Sequence, residues 1–160
     1  MEIYLLRHGI AEEAEVGISD SDRALTVKGE RKLREVLERA RGAGVDPTVI
    51  LTSPLLRARQ TAQVAGEVLG RRNSLVDCPA LEPGASPEQV WEAIRDHKDA
   101  RSVMLVGHEP QFSALYAYLL NAPSLQVNVK KGSLGRIDVE RPGSSPRGVL
   151  RWLITPSTVE

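Results

Sequence analysis

Short apolar runs alternate with segments of helical periodicity along this chain, and this alternation constrains the fold more than any other feature. Runs typical of buried strands occur at about 2–7, 48–52 and 102–106, and a short strand is predicted at 74–77. Helices are predicted between and after them, at about 27–41, from Pro54 to near Gly70, from Pro87 onward and at about 110–120. Because strands that alternate with helices pair in parallel, the pattern predicts an α/β fold, a three-layer sandwich with a mainly parallel sheet flanked by helices.

The end of the chain has a different pattern. Three further runs, at about 126–129, 133–139 and 149–154, are predicted as strands, with a Pro/Gly/Ser-rich loop at 142–148. No helix separates the last runs, so we expect them to be antiparallel at one edge of the sheet. No repeat or long linker divides the 160 residues, and we expect a single domain spanning 1–160.

Charge and cysteine content exclude several classes of function. The 21 basic and 21 acidic residues balance, so no global field attracts nucleic acid or an anionic membrane. Cys78 is the only cysteine, which excludes an internal disulfide and argues against a structural zinc site. The residues MEIYLLRHG contain no basic n-region, and no apolar stretch in the sequence approaches the ~20 residues that span a bilayer. We expect a monomeric cytoplasmic protein with no metal and no cofactor.

Two helix starts are marked by capping signals. Ser53-Pro54 is predicted as an N-cap followed by proline at the first helical position. Ser86-Pro87-Glu88-Gln89 has the spacing of a capping box.

Arg7-His8-Gly9 directly follows the first predicted strand. A guanidinium and an imidazole at the carboxyl end of a parallel strand lie where α/β proteins bind ligands. Gly9 permits a sharp exit from the strand and lets backbone amides approach a ligand. Taken alone, His8 is also compatible with an ordinary histidine at a strand end.

Two later segments repeat this arrangement. The run at 48–52 leads to Arg57 in the first turn of a predicted helix, and the run at 102–106 leads to His108 at another strand-to-helix junction. Because parallel strands share a direction, all three junctions lie at one edge of the sheet. The sequence therefore predicts a basic pocket to which helix N-termini add partial positive charge.

Phosphoryl transfer explains these residue types. Arginine forks match phosphate oxygens, and their charge stabilises the transferring group. A neutral imidazole is a competent nucleophile, so His8 is predicted to attack phosphorus while His108, when protonated, supports the phosphate. No convergent set of carboxylates suggests a magnesium site, and the arginines would take the role of the metal.

Three motifs resemble those of the histidine phosphatase (phosphoglycerate mutase-like) superfamily: Leu6-Arg7-His8-Gly9, Ser53-Pro54 with Arg57 and Gln60-Thr61, and Val106-Gly107-His108. Three further segments resemble its SixA-type phosphohistidine phosphatase branch: Arg23-Ala24-Leu25-Thr26 with Gly29, Lys130-Lys131-Gly132, and Trp152 to Pro156. The resemblance implies that His8 is transiently phosphorylated. It also implies that Arg7, Arg57 and His108 bind the phosphoryl group.

The proton donor and the rim of the pocket are less clearly marked. Larger superfamily members supply a proton-donating acid, usually Glu, and Glu82 is the best-placed candidate here. Glu109 is a weaker candidate, because a role as an acid at a helix N-terminus is favoured for it. Phosphohistidine tolerates a missing acid because its leaving group is an imidazole. Arg23 is predicted either to line the pocket or to support the loop that contains it. Lys130-Lys131 is predicted either to steer an acidic substrate or to protect an edge strand.

The substrate we expect is protein-borne phosphohistidine, as in a histidine phosphotransfer domain, because the chain has no insertion long enough to form a lid. Two alternatives remain open at this point. One is a small-molecule phosphomonoesterase or mutase of the same superfamily, and the other is a non-catalytic phosphate-binding module.

Overall fold

The apolar run at the start of the chain forms β1 (Glu2–Arg7), an interior strand of a six-stranded sheet. This computed structural model describes residues 1–159, so Glu160, the last residue of the predicted domain, lies outside the described residues. The other strands are β2 (Val49–Thr52), β3 (Leu75–Asp77), β4 (Ser102–Gly107), β5 (Leu134–Val139) and β6 (Gly148–Ile154).

The sheet order is β3-β2-β4-β1-β5-β6. The first four of these strands are parallel, whereas β5 and β6 are antiparallel at one edge, which confirms the predicted mainly parallel sheet. Arg7 of β1 is level with Gly107 of β4, and Thr52 of β2 is level with Val106. The carboxyl ends of the three central strands therefore lie side by side.

Helices cover both faces of the sheet. They are α1 (Val27–Gly42), α2 (Leu56–Val68), α3 (Pro87–Arg95), α4 (Gln111–Leu119) and a short α5 (Pro156–Val159). Alternate residues of each strand point to opposite faces. Tyr4 and Leu6 of β1 pack with α1 and α2, while Ile3 and Leu5 pack with α3 and α4. The predicted three-layer sandwich is confirmed.

Local signals define two of the helix ends as predicted. The capping box is present at α3, where Ser86 Oγ accepts from the Gln89 amide and the Gln89 side chain accepts from the Ser86 amide. Gly70, with φ of 70°, follows the end of α2, and the Arg71 amide closes that end on the Gly66 carbonyl.

The predicted strand at 126–129 is wrong. This segment has no ladder partner; the Val129 amide bonds to the Val127 carbonyl within the segment, and the Val129 carbonyl accepts from the Arg7 side chain. The apolar alternation reflects burial of Val129 in the core rather than strand pairing. As a result, Lys130-Lys131 lies in a turn before β5 and not on an edge strand.

Candidate active site

The carboxyl ends of β1, β2 and β4 bring the predicted basic residues together. The imidazole rings of His8 and His108 lie 5.2 Å apart between centroids. Arg57, in the first turn of α2, and both histidines are at most 5% exposed, and Arg7 is half-buried. The charges of Arg7 and Arg57 lower the pKa values of both imidazoles, so all four side chains are close enough to interact electrostatically.

His8 is held in a defined tautomer. Its Nδ1 donates a hydrogen bond of 2.7 Å to the Gly9 carbonyl, so Nδ1 carries the proton and Nε2 carries the lone pair. Burial lowers the pKa of His8 to about 3, and the charges of Arg57 and Arg7 contribute in the same direction. The imidazole is therefore neutral near pH 7 and has a nucleophilic nitrogen.

Gly9 has a different role from the one predicted for it. Its amide donates to Thr61 Oγ1 at 3.2 Å, and the Thr61 hydroxyl donates to the Arg57 carbonyl at 2.7 Å, so the Gly9 amide is already bonded within the protein. A Cβ at Gly9 would lie 3.3 Å from the Gly29 carbonyl oxygen. Gly9 thus contributes close packing and the carbonyl that orients His8, rather than an amide donor for substrate.

Arg57 is fixed by Asp20, a residue that the sequence analysis did not identify. Arg57 Nη1 donates to the Asp20 carbonyl at 2.7 Å, and Nη2 donates to the Asp20 carboxylate at 3.1 Å. Arg23 in turn binds the Asp20 carboxylate at 2.8 Å and the Glu12 carbonyl at 3.0 Å. Arg23 therefore supports the loop that binds Arg57, one of its two predicted roles, and its role in lining the pocket stays a prediction.

Arg7 is fixed in a comparable way, since its Nη1 donates to the Val129 carbonyl at 2.6 Å. Three buried nitrogens of the site, Arg7 Nε, Arg57 Nε and His108 Nδ1, have no hydrogen-bond partner within residues 1–159. Buried polar groups normally have partners, so unpaired donors in one cluster indicate a site for an acceptor-rich anion. Arg7 is held at one terminal nitrogen and Arg57 at both, and the Nε of each guanidinium has no protein partner and is available to that anion.

His108 is oriented by Ser53, whose Oγ lies 2.8 Å from His108 Nε2. When Nε2 accepts the Ser53 hydroxyl proton, the His108 Nδ1–H is the donor that has no protein partner. Burial lowers the pKa of His108 to about 4, with Arg57 acting in the same direction. His108 is thus neutral near pH 7 before an anion binds, and a phosphate dianion beside it would raise its pKa toward the protonated form predicted from the sequence.

The predicted N-cap role of Ser53 is wrong. The helix begins two residues later, with Leu55 as its N-cap and without a side-chain cap. Ser53 is fully buried, and its Oγ accepts from the Leu55 amide at 3.3 Å while it contacts His108. Local spacing predicts that the Ser53 hydroxyl caps the helix, but in the folded protein this hydroxyl contacts His108, a residue distant in sequence.

The two candidate acids lie in different settings. The Glu82 side chain is exposed and makes no hydrogen bond or ion pair with any residue in 1–159, so its role as proton donor stays a prediction. Gln111 Nε2 anchors the Glu82 loop through the carbonyls of Ala80, Glu82 and Ala85. Glu109 accepts from the Ser113 amide at 2.7 Å and from its hydroxyl, so it caps the N-terminus of α4 as expected.

The described residues also bear on metal binding, on membrane insertion and on thiol chemistry. Residues 1–159 contain no group of three or more His, Cys, Asp or Glu side chains arranged to hold a metal ion. No helix among them is long and apolar enough to cross a membrane. Cys78 is buried, and burial raises the pKa of its thiol, which leaves it a packing residue.

Comparison with known proteins agrees with this geometry. The family model for the histidine phosphatase superfamily (branch 1) matches residues 3–82. An uncharacterized protein of Picosynechococcus sp. strain PCC 7002 is 36% identical over 146 residues, which are 84% of this chain and 82% of that protein. The chain belongs to the histidine phosphatase superfamily.

The resemblance to the SixA-type branch is also confirmed. The phosphohistidine phosphatase SixA of Escherichia coli K12 is 26% identical over 162 residues, covering 100% of this chain and 97% of that protein. A structure of the protein histidine phosphatase SixA complexed with tungstate superposes with a TM-score of 0.89 at 25% identity and covers 100% of both chains.

Proposed function

We propose that this protein is a phosphohistidine phosphatase that hydrolyses protein-borne phosphohistidine through a covalent intermediate on His8, without a metal ion. The observation that carries the proposal is the hydrogen bond from His8 Nδ1 to the Gly9 carbonyl, which leaves Nε2 as the nucleophile. This nitrogen belongs to a cluster with three buried donors that suit phosphate oxygens, on Arg7, Arg57 and His108.

In the first step, the His8 Nε2 lone pair attacks phosphorus and forms a P–N bond. The P–N bond of the substrate breaks, its electron pair goes to the leaving imidazole nitrogen, and the imidazole takes up a proton from solvent. The negative charge of the three equatorial oxygens faces Arg7 and Arg57, whose guanidinium groups supply the positive charge that metal ions provide in other phosphoryl-transfer enzymes. The bond from Nδ1 to the Gly9 carbonyl stabilises the ring as it becomes positively charged.

In the second step, water attacks the phosphorus of phospho-His8. The P–Nε2 bond breaks, its electron pair returns to Nε2, and the water loses a proton as inorganic phosphate leaves. His8 is restored to the tautomer that it had before the reaction. The same two arginines stabilise both steps because the transferring group has the same charge in each.

The choice of phosphohistidine rests on the leaving group and on the rim of the site. Imidazole leaves protonated near pH 7, so the exposed and unpartnered Glu82 is compatible with this reaction, whereas an alkoxide needs a positioned acid. The connection 78–86 between β3 and α3 is short, so it contains no long insertion of the kind that closes over a small substrate. Val16 and Ile18, in the loop that contains Asp20, are exposed apolar residues of the kind that a protein surface covers.

The partner in this proposal is a phosphorylated protein, such as a histidine phosphotransfer domain, and the enzyme acts as a cytoplasmic monomer. The full-length similarity to E. coli SixA, a phosphohistidine phosphatase, supports the reaction class. It leaves the identity of the phosphoprotein to experiment.

The test is a rapid-quench reaction with a ³²P-labelled phosphohistidine protein, kept alkaline because phosphohistidine is acid-labile. We expect transient label on His8 in the wild type, and loss of both label and turnover in His8→Ala. His97→Ala is the matched control because His97 is the one histidine outside the cluster, and it should label and turn over normally.

Other outcomes identify the alternatives. Label on another residue would overturn the mechanism. Turnover of 3-phosphoglycerate or a sugar phosphate much faster than that of phosphohistidine would indicate a small-molecule phosphatase or mutase. Phosphate binding without release from any phosphoprotein or phosphoester would indicate a binding module.

A further inference from the structure

The Lys130–Lys131 turn is attached directly to the end of β1 that contains the nucleophile. The Ser133 amide closes the turn on the Lys130 carbonyl, and the Gly132 amide within the turn lies 3.1 Å from the Arg7 carbonyl and 3.0 Å from the His8 carbonyl. At the other end of the turn, the Val129 carbonyl accepts from Arg7 Nη1 at 2.6 Å. The two lysines are therefore held beside the phosphoryl-binding arginine by bonds to the site itself.

The side chains of this turn create a positive surface next to Arg7. Lys130 and Lys131 are exposed, and neither makes an ion pair with any residue in 1–159. Arg7 and both lysines line one surface cavity of about 400 Å³, together with Lys32 and Asn128. Arg7 of the site and the two lysines of the turn therefore share one surface cavity.

The loop that binds Arg57 has the opposite charge. The loop that binds Arg57 contains five exposed acids, Glu12, Glu13, Glu15, Asp20 and Asp22. Only Arg23 of this loop balances them. The whole chain is neutral, but the loop bonded to Arg57 is acidic and the turn bonded to Arg7 is basic.

We propose that the Lys130–Lys131 turn is a docking subsite for an acidic segment of the phosphorylated substrate protein. This inference rests on the proposed function and adds the orientation of the substrate: its acidic side lies over the turn, and its phosphorylated side chain reaches His8. Complementary charge of this kind mainly accelerates encounter and fixes orientation.

Exposed lysines favour an acidic protein segment over a small second anion. Sites that select small anions hold them with buried forks and backbone amides, as Arg7 and Arg57 do here. Lysine side chains in a surface turn are mobile point charges, and they suit several carboxylates spread over a protein surface.

The first experiment compares two synthetic peptides phosphorylated on the same histidine, one with Asp and Glu on its flanks and one with Asn and Gln there. We expect the wild type to have a kcat/KM about tenfold higher for the acidic peptide at low salt, and the ratio to approach one at about 0.5 M salt. The double variant Lys130→Gln/Lys131→Gln should lower this ratio toward one at low salt.

The matched control is Lys98→Gln/Arg39→Gln, which removes two exposed cations. Lys98 follows α3 and Arg39 lies in the last turn of α1, so both precede the amino ends of parallel strands and not their carboxyl ends. It should retain the wild-type ratio. An equal kcat/KM for the two peptides in the wild type, or an equal loss of preference in the control, would overturn the subsite while leaving the phosphatase activity established.

A binding measurement separates the subsite from the proposed function. Fluorescence anisotropy with the unphosphorylated acidic peptide should show weak binding that Lys130→Gln/Lys131→Gln abolishes and the control variant retains. Such binding without any dephosphorylation would uphold the subsite and refute the function. A stronger effect of the lysines on inhibition by 3-phosphoglycerate than on the acidic peptide would assign the lysines to a small anion instead.

Discussion

Asp20 and Ser53 orient two buried side chains of the site, Arg57 and His108. Asp20 holds both terminal nitrogens of Arg57, and Ser53 holds Nε2 of His108. Preorganised donors of this kind are effective in catalysis because they need no reorganisation as charge moves to the transferring group. The oriented residue and the residue that orients it are distant in sequence in both pairs, so the pairs exist only in the folded protein.

Asp20→Asn tests the first pair. The variant keeps the Asp20 carbonyl bond to Arg57 but loses the carboxylate charge between Arg57 and Arg23. Because Asp20 is largely exposed, we expect a moderate loss of kcat/KM for phosphohistidine, roughly three- to tenfold, together with weaker inhibition by inorganic phosphate. Steady-state kinetics with phosphate as inhibitor measure both.

Asp22→Asn is the control for this prediction. Asp22 lies in the same exposed 3-10 turn, and its side chain makes no ion pair with any residue in 1–159. Its replacement should change neither quantity. Equal kinetics for the two variants would show that Arg57 does not need the carboxylate.

At the scale of elements, α1 fixes the path of the chain after the nucleophile. Gly29, in the first turn of α1, lies so close to Ile10 that an added Cβ would be 2.2 Å from the Ile10 carbonyl oxygen. The neighbour is backbone and not a flexible side chain. The helix therefore rests directly on the segment that follows His8 and Gly9.

Gly29→Ala should force this segment away from α1. We expect the free energy of unfolding to fall by about 2 kcal/mol, and phosphatase activity to fall with it because Gly9 orients His8. Gly42→Ala is the matched control in the last turn of the same helix, where a Cβ meets no atom within 4 Å. The control should gain about 0.5–1 kcal/mol from the better helix propensity of alanine. Urea denaturation and kcat/KM report both effects, and equal stabilities would contradict the close contact.

Elements with strong local signals could be predicted from the sequence, and those whose signals compete with tertiary contacts could not. The capping box of α3 depends on residues three apart, and the structure contains it as predicted. The segment 126–129 alternates like a strand, but its Val129 carbonyl binds the Arg7 side chain instead of a neighbouring strand. Ser53 has the position of an N-cap, but its hydroxyl contacts His108.

The residues of the candidate site likewise divide into those that could be predicted from the sequence and those that could not. The convergence of Arg7, His8, Arg57 and His108 could be predicted because the carboxyl ends of parallel strands share an edge. Asp20 could not, since it lies in a polar loop without periodicity, and nothing in its spacing links it to a residue 37 positions away.

At the scale of the whole molecule, the two neutral histidines couple stability to pH. The folded-state pKa values, about 3 for His8 and about 4 for His108, lie below the value of about 6.5 expected in the unfolded chain. As pH falls below about 6.5, the unfolded chain therefore binds more protons than the folded chain. The free energy of unfolding should then fall, approaching about 1.4 kcal/mol per pH unit for each histidine.

Urea denaturation between pH 5 and 7 measures this slope, above the range in which paired carboxylates become protonated. The double variant His8→Gln/His108→Gln should have a much flatter profile than the wild type, whereas His97→Gln should retain the wild-type slope. A double variant with an unchanged slope would show that the two histidines are not held neutral in the folded protein.

The order of strands in the sheet has a consequence for synthesis. β4 lies between β1 and β2 and pairs with both, yet it leaves the ribosome after them. A nascent chain that has not reached Ser102 has no partner to join these two strands, and it also lacks His108. The pairing of His8 with His108 therefore forms only once the centre of the sheet has been completed, so a chain terminated before His108 would lack the proposed activity.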